Sequence, residues 1–153
     1  MDESSLLLRQ IPHSIEAEQS VLGAMLIDAR CIPDVVEALT GEDFYLKANR
    51  EIYETIYTMF NFSATIDPVT VLDQMKLTGV YDENTSRSYL LQLMEITPTA
   101  ANVKEYVAIV KDKALLRRIA ETAGELTAMV QEGTGTAQEV LEAAEQRIYA
   151  IRQ

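Results

Sequence analysis

The side chains able to do chemistry are few and scattered. The chain carries one histidine, His13, and one cysteine, Cys31. One of each cannot build a His/Cys zinc site, and a Ser–His or Cys–His nucleophile needs a base held against it. His13 flanks a helix start and reads as a local cap or packing residue. Cys31 reads as a small apolar filler; standing alone, it excludes an internal disulfide and suits a reducing compartment. Carboxylates pair at Glu16/Glu18, Glu42/Asp43 and Asp82/Glu83. A general acid and base must converge on one substrate. Residues this close along a helix or turn rarely do, so these pairs are expected to be solvated and structural. No G-x-x-x-x-G-K-[ST] or G-x-G-x-x-G string occurs, so no phosphate cradle is expected. The sequence assigns no catalytic, cofactor-binding or metal-ligating residue.

Nucleic-acid chemistry is also thinly represented. Tyr45, Tyr53, Tyr57, Tyr81, Tyr89, Tyr106 and Tyr149 could stack on bases. They lack interleaved basic residues, which favours core packing with the hydroxyl at the rim. The net charge is −11, and residues 1–96 hold 6 Lys+Arg against 16 Asp+Glu. Phosphate binding runs on positive charge, so weak or no direct DNA binding is expected. One basic cluster exists: Lys104, Lys111, Lys113, Arg117 and Arg118. Interspersed with Glu105, Asp112 and Glu121, it reads as a solvated helix face; a contact to nucleic acid or an acidic partner is the alternative.

The elements that position these groups are helical. At 153 residues, 48% hydrophobic and 24% charged, the chain suits one or two ordinary soluble domains. No apolar run approaches the roughly 20 residues that span a bilayer. Met1-Asp2-Glu3 is the wrong flank for a secretory signal. No membrane partner and a cytoplasmic location are expected. Residues 1–12 read as a flexible arm ending at Pro12. Ser14 is a candidate N-cap, followed by Glu16 and Glu18 where the helix dipole favours them. Mid-helix, Gly23 costs stability; it marks either a close helix approach or a solvent-facing position. Further helices are expected from Pro33 to Leu39, Ala48 to Phe60, Asp67-Pro68 to Thr78, and Ser86 to Glu95, where Thr97-Pro98 breaks the chain.

Beyond Pro98 the pattern changes. From Thr99 to Gln131 there is no proline, and an apolar stripe predicts a helix of about 50 Å. After the turn at Glu132–Thr136, Ala137, Leu141, Ala144, Ile148 and Ile151 recur at four, three, four, three, the spacing of a two-helix seam. The chain ends within this pattern, without a capping signal, and is expected to continue. The fold class is therefore all-α: a compact helical head of about five helices over 13–96, then a long antiparallel helical hairpin over 97–153. A two-helix hairpin cannot cover all its apolar surface, so the surplus points to an oligomer.

Read together, several strings resemble one family. They are Ile11-Pro12-His13-Ser14-Ile15-Glu16-Ala17-Glu18-Gln19-Ser20-Val21-Leu22-Gly23, Asp43-Phe44-Tyr45 with Asn49-Arg50-Glu51-Ile52-Tyr53, Ile66-Asp67-Pro68-Val69-Thr70-Val71, Thr97-Pro98-Thr99-Ala100-Ala101-Asn102-Val103, and Tyr106-Val107-Ala108-Ile109-Val110-Lys111. In this order they resemble the N-terminal domain of the bacterial replicative DNA helicases, the hexameric, RecA-type, DnaB-like family. The stretch Lys47-Ala48-Asn49-Arg50 departs from it, since a histidine or proline is more usual there.

The resemblance implies an assembly and primase-recruitment domain of an ATP-dependent DNA helicase. The hairpins would pair into a dimer, or a trimer-of-dimers hexamer, that receives primase and in some species a loader. ATP and magnesium would be bound by a C-terminal ATPase domain of the parent and none by this chain, which is expected to be non-catalytic. A free-standing helical adaptor that modulates a helicase ring is the alternative reading. Leu115, Leu116, Ile119, Leu126, Leu141 and Ile148 are the candidate oligomer interface, with Val140 beside them, and Leu126 and Val140 are the candidate primase contact.

Overall fold

A computed structural model of the chain describes residues 11–152. The arm expected over 1–12 lies, apart from Ile11 and Pro12, outside the described residues. Among those residues the architecture is all-α, with seven α-helices, two short 3-10 turns and no strand. They divide into two compact units, His13–Asp112 and residues 113–152 with 11–12.

In the first unit, local signals set most boundaries. Helix α1 (Ile15–Ile27) begins where Ser14 Oγ accepts the Ala17 amide at 3.2 Å. Helix α2 (Ile32–Ala38) carries Pro33 in its first turn. Helix α3 spans Lys47–Asn61. Helix α4 (Pro68–Thr78) opens on a capping box: Asp67 accepts the Thr70 amide at 2.9 Å and Thr70 Oγ1 accepts the Asp67 amide at 2.9 Å. It closes on Gly79, whose φ of 80° is the left-handed turn that glycine adopts without penalty. Helix α5 is Ser86–Glu95.

Helix α1 is the centre of this unit. Ala17, Glu18 and all of Val21–Leu26 are buried, because the helix is apolar around most of its girth. Ile32 and Val35, Phe44, Ile52, Tyr53 and Ile56, Val71, Leu90 and Leu93 close round it. Val103 and Val110 join the same core, so the unit extends into the next helix through Asp112. The Gly23 alternative is settled as close approach. A Cβ there would lie 2.7 Å from Thr97 Cβ and would overlap both the Thr97 hydroxyl and the Leu93 carbonyl oxygen.

Helix α6 runs Val103–Glu132 as a single 30-residue element, about 45 Å long. In the second unit it is followed by a turn in which Gly133 (φ 65°) and Gly135 (φ 88°) are left-handed. Thr136 then caps α7 (Ala137–Ile151), accepting the Glu139 amide at 3.2 Å. Arg147 on α7 bonds Glu125 on α6 across that turn, which makes the pair an antiparallel hairpin. Its seam differs from the four-three spacing. Thr122, Leu126 and Met129 on α6, and Val140, Ala143, Ala144 and Ile151 on α7, are half-buried, while Leu141 and Ile148 are exposed.

Candidate assembly surface

Several chemistry-bearing side chains of the first unit are engaged within its own fold. Leu46 occupies the N-cap position of α3 and offers no capping side chain. Glu18, reaching across from α1, takes that role: its carboxylate accepts the Tyr45 amide at 2.8 Å, the Leu46 amide at 3.4 Å and Asn49 Nδ2 at 3.0 Å. A negative charge is favoured at a helix N-terminus, and this one is buried at 1% exposure. Glu18 is therefore not the solvated group expected from the sequence. The network continues: Tyr89 on α5 donates to Asn49 Oδ1 and accepts from Gln19 Nε2 at 3.3 Å.

Other carboxylates behave similarly. Asp43 accepts the Thr40 amide at 2.8 Å, and Asp82 accepts those of Asn84 at 2.8 Å and Thr85 at 3.1 Å. The Arg30 guanidinium and amide on Asp28 hold its carboxyl below the usual value. No group of three or more His, Cys, Asp or Glu among the described residues could hold a metal ion.

His13 stacks on Tyr45, ring centroids 4.5 Å apart and planes 18° from parallel. Half-buried Cys31 has its thiol pushed up to about 11, first by desolvation and then by Asp28 and Asp34; a thiol so raised is a poor nucleophile at neutral pH. Buried Tyr53 donates to the Leu39 carbonyl at 2.6 Å, and its phenol is raised by burial. Tyr149, in contrast, is exposed. Among the described residues no helix is long and apolar enough to cross a membrane.

Exposed apolar residues occur in the first unit, among them Phe62, Val69 and Leu77, and the second unit carries a series of them along its two helices. Leu115 (39% exposed), Leu116 (41%), Ile119 (48%), Leu141 (52%) and Ile148 (51%) all stand open to solvent. Leu126 and Val140 are half-buried on the seam. The Arg147–Glu125 bond sets the register of the two helices. Counting back along α6 from that bond, Leu115, Leu116 and Ile119 lie past the level of Ile151, so the hairpin does not bring them to Leu141 and Ile148. The two sets form separate patches along one helical rod. Val130 and Tyr149, both more exposed than any of these, are apolar members of the surface that the sequence reading left out of the interface. The signal was present in their offset from the seam residues Met129 and Ala144, by one and five positions.

The basic cluster is partly engaged: Arg117 Nη1 donates to the Pro12 carbonyl at 2.9 Å. Isolated exposed apolar residues are ordinary, but rows of them along a helix mark interaction surfaces. Covering a half-exposed leucine or isoleucine is worth about 1 kcal/mol.

The family model described as the DnaB-like helicase N-terminal domain matches residues 10–112. The chain belongs to that family. A replicative DNA helicase DnaB of Leifsonia xyli is 35% identical over 143 residues, covering 94% of this chain and 31% of the relative. The chain thus spans under a third of the length of the curated relatives it matches. Among solved structures, the N-terminal domain of DnaB helicase from Mycobacterium tuberculosis superposes with a TM-score of 0.85 at 37% identity, covering 92% of this chain and 99% of that one. The N-terminal domain of the Helicobacter pylori DnaB helicase shares the fold, with a TM-score of 0.66 at 20% identity over 86% of this chain and 99% of that one; it was described with its interactions with primase. The family assignment and the all-α fold drawn from the sequence strings are thereby established for this DnaB-like domain.

Proposed function

We propose that this chain is the assembly and primase-recruitment domain of a replicative DNA helicase, with the hairpin of α6 and α7 as its contact surface. The parent enzyme unwinds DNA at the fork with ATP and magnesium bound in a domain outside this chain. The division expected from the sequence, a head over 13–96 and a hairpin over 97–153, shifts to a core unit over His13–Asp112, and the part of the hairpin beyond it carries the partners. Leu115, Leu116, Ile119, Leu126, Leu141 and Ile148 meet a second copy, giving a dimer or a trimer-of-dimers hexamer, and Leu126 and Val140 meet primase. A helicase loader is a further partner, and the domain acts in the cytoplasm. Its acidic balance leaves direct DNA contact to other parts of the parent.

The observation that carries this reading is the run of open apolar side chains Leu115, Leu116, Ile119, Leu141 and Ile148 on two helices that do not cover them. The interactions of the Helicobacter pylori domain with primase support the choice of that partner. The test is the solution mass of residues 1–153 by light scattering over a concentration series, beside Ile119→Asp. A carboxylate forced into an apolar contact is costly, so the variant should stay monomeric at concentrations where the parent sequence associates, with unchanged helical circular dichroism. An unchanged oligomer mass for Ile119→Asp would remove residue 119 from the interface, and a parent sequence monomeric throughout would remove the hairpin.

A further inference from the structure

A groove of the first unit lies apart from the surface proposed above. It has a volume of about 600 Å³ and lies among α1, α3, α4 and α5. Its apolar lining is Leu46, Ala48, Ile52, Met75 and Val80. Among the described residues, the charged side chains along it are Glu51 and Asp82, both carboxylates, and no lysine or arginine lines it. Tyr89 and Gln19 also line it.

From this we infer that the groove is a docking site for an arginine side chain of a partner polypeptide. The shape and the charge agree on this occupant. An arginine lays its three-carbon stem along apolar surface and keeps its head polar, which suits a channel of Ile52, Met75 and Val80 edged by Glu51 and Asp82. Its planar guanidinium makes paired bonds to carboxylates and stacks on aromatic rings, which the point charge of a lysine does not reproduce. A neutral apolar side chain would leave both carboxylates facing an apolar group.

The site is also held in shape before anything binds. The Asp82 carboxylate is fixed by the Asn84 and Thr85 amides, and Tyr89 is fixed by Asn49 and Gln19. Preorganisation of this kind lowers the ordering cost of binding. The excess of carboxylates over the first 96 residues, 16 against 6 basic groups, attracts a basic segment at longer range.

The probe is N-acetyl-Leu-Arg-Leu-amide, with the citrulline peptide as its neutral isostere. Both are titrated into residues 1–153 while the methyl resonances of Met75 and Val80 are followed by NMR. The arginine peptide should shift both methyls saturably, and the citrulline peptide should bind at least about tenfold more weakly. Glu51→Gln combined with Asp82→Asn should bring the arginine peptide down to the citrulline level. Asparagine at 82 retains the acceptor for the Asn84 and Thr85 amides, so the fold is expected to survive, as an unchanged methyl spectrum of the free variant would verify. Equal binding of the two peptides, shifts confined to hairpin resonances such as Leu126 and Val140, or no saturable shift would each overturn the assignment. None of these results depends on whether the hairpin self-associates.

Discussion

Gly23 of α1 lies so close to Leu93 of α5 that a Cβ on the glycine would overlap the Leu93 carbonyl oxygen. The obstruction is backbone, which cannot swing aside as a flexible side chain can. Gly23→Ala should therefore force α1 and α5 apart and cost about 2–3 kcal/mol, the upper part of the range for overpacked cores. Urea denaturation should show a lowered midpoint at unchanged slope. A midpoint within error of the parent would mean that the two helices yield easily.

The buried Glu18 carboxylate serves three donors. Glu18→Ala would strand the Tyr45 and Leu46 amides and the Asn49 side chain, for a loss of at least about 2 kcal/mol. Glu18→Gln keeps one acceptor oxygen but turns an NH2 toward the same donors, and should fall between. Amide hydrogen exchange at Tyr45 and Leu46 should accelerate in both variants ahead of the rest of the domain. Protection retained at these two amides would refute the capping role.

On the hairpin, exposure separates assembly residues from stability residues. Leu141→Gln and Ile148→Gln replace open side chains with a good helix former. Each should change monomer stability by less than about 0.5 kcal/mol while reducing self-association. Leu126→Ala, half-buried on the seam, should cost about 1–2 kcal/mol of monomer stability in addition to weakening the proposed contact with a second copy. Sedimentation equilibrium and thermal melts at dilute concentration distinguish the two effects; seam-like losses from Leu141→Gln would reverse the orientation of α7.

Alkaline pH should destabilise the first unit. Burial raises the phenols of Tyr53 and Tyr89 above their ordinary value of 10.0. The unfolded chain therefore releases these protons first as pH rises past about 10, where it binds fewer protons than the folded chain, and folding stability falls there. The contribution is fully present below that pH. Tyrosinate absorbance should show two of the seven tyrosines ionising late, together with unfolding. Simultaneous titration of all seven near 10 would contradict the burial.

What the sequence displayed was whatever its neighbours along the chain decide. Ser14, Asp67-Pro68 and Gly79 act within a few residues, and each stands where its local pattern indicates. The helix Ser86–Glu95 was readable residue for residue. Glu18 was not, because its acceptor role depends on amides 27 and 28 residues away, and beside Glu16 it resembles any solvated first-turn glutamate. The hairpin lay between these cases. Its period showed two packed helices, but Leu141 and Ala144 fit a seam equally well by spacing, and only the structure half-buries the alanine and exposes the leucine. The candidate contact residues were visible as surplus apolar surface, and the carboxylate-edged groove, assembled from four helices, was not visible at all.

The clasp from Glu18 to Tyr45 gives the chain an order of assembly. The first turn of α3 has no cap of its own, so an excised peptide covering residues 44–61 begins with its leading amides open to water. Only when the 27-residue span from Glu18 has closed are they satisfied, and that closure carries an entropic cost set by its length. The amides of Tyr45 and Leu46 find their acceptor only on α1, so the lead-in to α3 and the helix α1 are expected to gain protection together as the domain folds.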